Sequence, residues 1–115
     1  MRLKNKVAII TGSASGFGKG IAKKFTEEGA KIIMVDINSK LLKKTSKNFS
    51  QDYFVADVSK ESDYKSLLKY SYKKYNSIDI IVNNAGITHQ PKPMEDVTEK
   101  EFNDKFSNHK VKKIS

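Results

Sequence analysis

Hydrophobic positions along this chain alternate between two arrangements. Four continuous apolar runs, rich in β-branched residues, cover residues 6–11, 31–36, 53–57 and 78–84. Continuous runs of this length are typical of strands that are buried on both faces of a sheet. Between the runs, apolar side chains recur at helical spacing, which predicts helices over residues 18–28, 39–49 and 60–75.

The predicted elements follow the order strand, helix, strand along the chain. Strands that alternate with helices pair in parallel through right-handed crossovers, because each helix returns the chain across one face of the sheet. The pattern therefore predicts a doubly wound α/β fold. In such folds the ligand site lies at the carboxyl ends of the strands, where the strand order reverses.

The last third of the chain has a weaker pattern. Two prolines predict a loop after the fourth run, and Thr98 is placed to begin a last helix through Phe102 and Phe106. Residues 106–115 lack the apolar side chains that a helix would bury, and we expect an irregular tail there. With no fifth strand predicted, the fourth strand would form an open edge of the sheet.

Length and composition limit the class of protein. A chain of 115 residues forms at most one domain, and we expect a single, truncated domain over residues 1–115. The sequence contains no cysteine, which excludes disulfide bonds and thiolate metal sites. No apolar run approaches the ~18 residues of a membrane span, and the N-terminal run is too short for a signal peptide. The expected location is the cytoplasm, with no membrane partner.

The net charge of +9 could indicate a nucleic-acid partner. However, 21 of the 22 basic residues are lysine, and they are spread over the whole chain. Arginine is the preferred residue for bidentate recognition of bases and phosphates. Dispersed lysines are typical of solvated helix faces, so we expect no nucleic-acid partner.

A glycine-rich stretch, TGSASGFG, directly follows the first apolar run. A glycine turn between a strand and a helix places backbone N–H groups and a helix N-terminus at an anion, commonly a dinucleotide pyrophosphate. Asp36 ends the second run, 20 residues beyond Gly16, where a carboxylate can accept hydrogen bonds from an adenosine ribose. Gly20 stands where the triphosphate-binding P-loop requires Ser or Thr, which excludes that motif.

The motifs together resemble those of the short-chain dehydrogenase/reductase family. TGSASGFG resembles its T-G-x-x-x-G-x-G turn, NNAG at residues 83–86 its N-N-A-G, and the Asp-Val pair at 57–58 its adenine-binding pair. The resemblance covers about residues 1–105 and is closest to bacterial 3-oxoacyl-acyl-carrier-protein reductases and sugar dehydrogenases. It implies a Rossmann-type sheet, incomplete here, of about four strands in the order 3-2-1-4.

The resemblance also implies a role for individual residues. The pyrophosphate turn would be formed by Gly12, Ser13, Ser15, Gly16, Phe17 and Gly18. Asp36 and Ile37 would contact the adenosine ribose, and Asp57 and Val58 the adenine. The nicotinamide ribose would lie beside Asn84, Ala85 and Gly86. Because the Asp36 carboxylate would repel a 2′-phosphate, we expect NAD as the cofactor rather than NADP.

The chemistry of the family needs a Ser and a Tyr-x-x-x-Lys pair, which we expect beyond residue 115, so no catalytic residue is assigned here. Tyr70 and Lys74 have the spacing but precede NNAG, and we interpret them as part of an exposed, lysine-rich helix face. Asn108 resembles the family's active-site asparagine and is assigned no role. The two histidines, His89 and His109, have no partner at metal-ligand spacing, so no metal site is expected.

Two functions remain open from the sequence. The first is the cofactor-binding half of an NAD-dependent oxidoreductase, which transfers a hydride between the cofactor and a secondary alcohol or ketone. A completed form would act on a small carbonyl or alcohol substrate and would form a homo-oligomer. The alternative is a non-catalytic nucleotide-binding remnant or fragment. The substrate does not follow from the motifs.

Overall fold

A single parallel sheet organises the computed structural model, which describes residues 2–84 and 112–114. Its strands are β1 (Val7–Thr11), β2 (Lys31–Asp36), β3 (Asp52–Val55), β4 (Ile80–Val82) and β5 (Lys112–Ile114). The helices of the described residues are α1 (Gly16–Glu27), α2 (Ser39–Phe49) and α3 (Glu61–Tyr75). The predicted alternation of strands and helices is confirmed.

The strand order is β3-β2-β1-β4-β5, and every neighbouring pair is parallel. β1 is central, because it pairs with β2 along one edge and with β4 along the other. The chain moves outward from β1 through β2 to β3, then crosses back to β4, so the order reverses between β1 and β4. The predicted order 3-2-1-4 is confirmed, and the ligand site of such a sheet lies at this reversal.

Two apolar cores lie on opposite faces of the sheet. On one face, α3 buries Tyr64 and Leu67 against Ile9, Ile33 and other strand residues. On the other face, α1 and α2 bury Ala22 and Leu42 against strand residues Ile10, Ile32 and Met34. All five residues of β1 are buried, as expected for a central strand that is covered on both faces.

Local sequence explains where the helices end. The chain leaves α1 through Gly29, whose φ of +90° belongs to the left-handed region that favours glycine. The Asn38 side chain accepts a hydrogen bond from Leu41 N at the start of α2. Ser50 and Asn76 take left-handed conformations just after α2 and α3. These ends direct the chain back into β2, β3 and β4.

The end of the chain differs from the expectation of an irregular tail. Residues 112–114 form β5, which pairs in parallel with β4, so β4 is not the edge of the sheet. The sequence signal was weak because β5 contains two lysines in three residues and lacks the apolar run of the other strands. The helix predicted to begin at Thr98 lies outside the described residues. Among the helices of the described residues, none is long and apolar enough to cross a membrane.

Candidate nucleotide-binding site

The glycine turn lies between the end of β1 and the start of α1, at the carboxyl edge of the sheet. Gly12 and Gly16 have φ values of +64° and +60°, a conformation that side chains rarely adopt. These two positions therefore require glycine for the turn itself. Gly16 also faces open space, since a Cβ built on it would meet nothing within 4 Å.

Gly18 is required for a different reason, which is close packing. A Cβ on Gly18 would lie 2.0 Å from the Gly12 carbonyl oxygen and 2.8 Å from Nδ2 of Asn84. The first turn of α1 therefore lies directly against the backbone of the glycine turn. This contact aims the N-terminus of α1 at the carboxyl ends of β1 and β4.

The N-terminus of α1 presents backbone donors to the turn. The first helical hydrogen bond is donated by Lys19 N to Ser15 O, so the amides of residues 16–18 have no acceptor within the helix. The exposed Ser15 occupies the N-cap position and makes no capping hydrogen bond with its side chain. The first turn of α1 also contains no acidic residue. Free amides and the helix dipole together favour an anion at this position.

β2 supports the turn through Ser13. The Ser13 side chain is fully buried, its Oγ accepts a hydrogen bond from Val35 N over 3.0 Å, and its amide donates to Val35 O over 3.1 Å. The resemblance placed Ser13 among the residues of the pyrophosphate turn, and the structure directs its side chain into the sheet. Ser13 therefore extends the pairing of β1 with β2 beyond Thr11.

Asp36 stands beside the turn at the end of β2. Its Oδ2 accepts a hydrogen bond from Ala14 N and its Oδ1 accepts one from Asn38 N, both over 3.1 Å. Each carboxylate oxygen can accept a second hydrogen bond, so Asp36 keeps acceptor capacity toward solvent. The neighbouring Ile37 side chain is 68% exposed, which leaves an apolar surface next to the carboxylate.

Asp57 follows β3 at the same edge of the sheet. Its Oδ1 accepts hydrogen bonds from the hydroxyl and the amide of Ser59, over 2.5 and 3.0 Å, and these bonds lower the pKa of its carboxyl. Asp57 is therefore ionised at neutral pH. Val58 is 3% exposed and its side chain packs into the core under α3, so a contact of this residue with adenine, which stays a prediction, would fall to its backbone.

Thr11 joins the ends of β1 and β4 across the reversal of strand order. Its buried hydroxyl accepts a hydrogen bond from Asn84 N over 2.8 Å and donates to Oδ1 of Asn83 over 3.2 Å. The motifs of the sequence predicted a role for Asn84 but none for Thr11, although a hydroxyl residue at the end of a buried strand is a recognisable signal. Ala85 and Gly86 lie outside the described residues.

An exposed apolar surface borders the start of α1. Phe17 is 88% exposed, and with Gly20, Ile21 and Lys24 it lines a shallow depression next to Gly16. Phe17 has a helical backbone, so its amide is one of the free donors at the N-terminus of α1. The site therefore combines backbone donors, the carboxylates of Asp36 and Asp57, and the exposed apolar side chains of Phe17 and Ile37.

Lys74 lies on the exposed face that the sequence predicted, whereas Tyr70 is half-buried, and both bond to Asp52. The Tyr70 hydroxyl donates to Oδ2 of Asp52 over 2.8 Å, and its ring packs 5.0 Å from that of Phe54. Oδ2 of Asp52 also accepts hydrogen bonds from Nζ of Lys74 and from the Tyr75 hydroxyl, over 3.0 and 2.9 Å. The sequence signal was missed because Asp52 lies 18 to 23 residues away from these partners.

The electrostatics of this cluster oppose proton transfer by Tyr70. Burial raises the pKa of the Tyr70 phenol, and its hydrogen bond to Asp52 raises it further, while Lys74 opposes both effects. A tyrosine that exchanges protons at neutral pH needs its pKa lowered. The cluster also lies at the start of β3, opposite the carboxyl edge that carries the glycine turn. Tyr70 and Lys74 are therefore structural.

Two further expectations concern His89 and His109, which lie outside the described residues. Among the residues that the structure describes, no three His, Cys, Asp or Glu side chains are grouped so that they could hold a metal ion.

The sequence is similar to those of known proteins. A family model described as short chain dehydrogenase matches residues 6–109. The chain belongs to this family. Zerumbone synthase from Zingiber zerumbet is 43% identical over 108 residues, which cover 90% of this chain and 40% of that protein. Diacetyl reductase [(S)-acetoin forming] from Staphylococcus epidermidis is 37% identical, over 90% of this chain and 42% of that protein.

Two solved structures of dehydrogenases share the fold. Hydroxysteroid dehydrogenase from Escherichia coli superposes with a TM-score of 0.71 at 33% identity, over 74% of this chain and 37% of that one. A short chain dehydrogenase/reductase from Burkholderia phymatum, in complex with NAD, superposes with a TM-score of 0.68 at 24% identity, over 71% of this chain and 31% of that one. The chain spans about two fifths of the length of the curated relatives named above.

Proposed function

We propose that this chain binds NAD and forms the cofactor-binding part of a short-chain oxidoreductase. The observation that carries the proposal is the glycine turn. It joins Ala14, whose amide donates to the Asp36 carboxylate, to the free amides of residues 16–18 at the reversal of strand order. A pyrophosphate fits the amides, because backbone donors and a helix N-terminus stabilise negative charge.

The residues around the turn fit the two ends of a dinucleotide. The remaining lone pairs of Asp36 can accept hydrogen bonds from ribose hydroxyls, and Ile37 offers an apolar surface beside them. Asp57 is ionised and its Oδ1 is engaged by Ser59, so its Oδ2 can accept a hydrogen bond from an adenine amino group. Asn84, which Thr11 holds at the end of β4, would lie toward the nicotinamide end.

The charge at Asp36 favours NAD over NADP. Two unit charges 4 Å apart repel each other by about 4 kcal/mol near a protein surface, and a phosphate carries a charge of about −1.5 to −2. Solvent screening reduces this repulsion. A residual of about 2.8 kcal/mol corresponds to a hundredfold difference in affinity. The nearby residues 13–15 and Ile37 carry no positive charge that could offset it.

The reaction proposed for the whole protein is hydride transfer between the cofactor and a secondary alcohol or ketone. Bound NAD supplies the hydride acceptor, and the residues described here bind and orient it. Family membership and the names of relatives such as diacetyl reductase and borneol dehydrogenase support this reaction class. The 115-residue chain itself is expected to bind the cofactor without turning it over.

A second candidate is a nucleotide-binding chain without catalysis of its own. It is favoured by the position of Tyr70 and Lys74, which form the single Tyr-x-x-x-Lys spacing in this sequence but lie away from the glycine turn. That pair is engaged by Asp52 at the opposite end of the sheet from the glycine turn. Both candidates share the dinucleotide site and differ in whether hydride transfer follows binding.

Calorimetric titration of the chain with NADH and with NADPH tests the proposal. We expect NADH to bind about a hundredfold more tightly than NADPH. Asp36→Ala should reduce this difference to less than about fivefold, because the repelling carboxylate is removed. Equal or tighter binding of NADPH by the unmodified chain would contradict the assigned role of Asp36. Absence of binding to either nucleotide would overturn the proposed function.

A further inference from the structure

Thr45 is a buried hydroxyl residue that lies outside the glycine turn. It belongs to α2, its side chain is 2% exposed, and its Oγ1 donates to the carbonyl oxygen of Ala14 over 3.0 Å. Ala14 lies within the glycine turn, 31 residues earlier in the sequence. Thr45 therefore connects α2 directly to the backbone of the nucleotide-binding site.

The direction of this hydrogen bond is unusual for a hydroxyl in a helix. Such hydroxyls commonly bond to a carbonyl in the preceding turn of their own helix. In the described helices, such bonds are made by the hydroxyls of Thr26, Ser46, Ser66 and Ser71. The Thr45 hydroxyl instead leaves its helix and bonds to the turn.

The Ala14 residue is held at both of its backbone polar groups. Asp36 accepts from its N–H over 3.1 Å, and Thr45 donates to its C=O over 3.0 Å. Ala14 is itself 2% exposed, so its carbonyl is shielded from water that could replace the Thr45 hydroxyl. Removing that hydroxyl would leave the turn fixed on the side of β2 and released on the side of α2.

We infer that Thr45 is a positioning residue, which fixes the glycine turn in the conformation that receives a pyrophosphate. The inference rests on the proposed function. A turn that is ordered before binding does not need to be ordered by the ligand, so affinity is higher. Thr45 acts through Ala14 and does not itself contact the ligand. Its effect should therefore be confined to ligands that carry the pyrophosphate.

The test compares Thr45→Val, which replaces the hydroxyl by a methyl group, with Ser46→Ala. Ser46 is the adjacent residue, is equally buried, and its hydroxyl donates to Lys43 O within α2. We expect Thr45→Val to weaken binding of ADP and NADH about tenfold, and Ser46→Ala to change it less than about twofold. Adenosine, titrated by NMR, should bind both variants as it binds the unmodified chain. Thr45→Ser, which keeps the hydroxyl, should restore ADP affinity to within about threefold.

Amide hydrogen exchange in the absence of ligand provides a second measurement. In Thr45→Val only the hydrogen bond from Ala14 N to Asp36 still holds Ala14, so the turn should open more often and the Ala14 amide should exchange faster than in Ser46→Ala. If Thr45→Val does not fold, hydrogen exchange is measured on the unmodified chain alone. An Ala14 amide as protected as that of Val35 supports a fixed turn, and an unprotected Ala14 amide overturns the inference.

Three outcomes contradict the inference. The first is unchanged ADP affinity in a folded Thr45→Val, and the second is an equal loss for adenosine, which would show a general structural role. The third is failure of Thr45→Ser to restore binding. These outcomes leave the proposed function intact as long as the unmodified chain binds NADH. Absence of NADH binding by the unmodified chain overturns both proposals.

Discussion

Replacing Gly18 by alanine probes the close approach of α1 to the glycine turn. The new Cβ would lie 2.0 Å from the Gly12 carbonyl oxygen and 2.7 Å from its carbon, where ordinary contacts begin at 3.4 Å. Both neighbours are backbone atoms, which cannot rotate away as a side chain can. The helix and the turn must therefore separate, which disturbs the free amides at the start of α1.

Two opposing effects determine how much Gly18→Ala changes the free energy of unfolding. Overpacking costs typically 1–3 kcal/mol, and a backbone contact this short should reach about 3 kcal/mol. Alanine is more favourable than glycine inside a helix by about 1 kcal/mol. We therefore expect Gly18→Ala to lower the free energy of unfolding by about 2 kcal/mol.

Gly20 provides a matched control in the same helix. A Cβ on Gly20 would meet nothing within 4 Å, so only the helix-propensity term remains. Gly20→Ala should raise the free energy of unfolding by about 0.5–1 kcal/mol, measured by urea unfolding followed by circular dichroism. NADH affinity should fall in Gly18→Ala alone. If Gly18→Ala is as stable as Gly20→Ala and binds NADH equally well, the described approach of α1 to the turn is wrong.

The remaining predictions concern the cluster around Asp52. Burial opposes ionisation of Asp52, whose side chain is 16% exposed, but hydrogen bonds from Tyr70, Lys74 and Tyr75 outweigh this and lower the pKa of its carboxyl. The resulting stability is present above the pKa of the unfolded chain and is lost as pH falls through the lower pKa of the folded chain. Asp52→Asn should lower the free energy of unfolding by about 1–2 kcal/mol at pH 7. In acid, the free energies of unfolding of the variant and of the unmodified chain should converge. A difference between them that stays constant with pH would contradict this prediction. Tyr70→Phe should lower the free energy of unfolding by about 1 kcal/mol and leave NADH affinity unchanged, and a hydride-transfer activity that depends on Tyr70 would refute its structural role.

The fold was largely predictable because its signals are local. Each buried strand next to the glycine turn is a continuous apolar run, and Gly29 marks the end of α1. β5 could not be predicted in the same way, because a strand of three residues with two lysines has no apolar run. Its place in the sheet depends on pairing with β4, which is a tertiary contact.

The site was predictable in its backbone and less so in its side chains. The glycines identified the turn, but they did not reveal that the Ser13 side chain is buried and bonds to Val35 in β2. Thr45 and Asp52 were missed because their partners are distant in sequence, and no local spacing reveals such pairs. Side-chain direction in a turn is set by tertiary packing as well as by residue type.

The central position of β1 leaves one of its edges unpaired while the chain is being synthesised. β1 is made before the other described strands, yet its second edge pairs with β4, and Val7 N donates to the Asp79 carboxylate across 72 residues. At about 5–20 residues per second, that edge stays unpaired for roughly 4–14 s. During this interval an apolar, β-branched strand presents unpaired backbone groups, which is a template for aggregation. A strand that is buried along its whole length in the folded chain is thus exposed for seconds while the chain emerges.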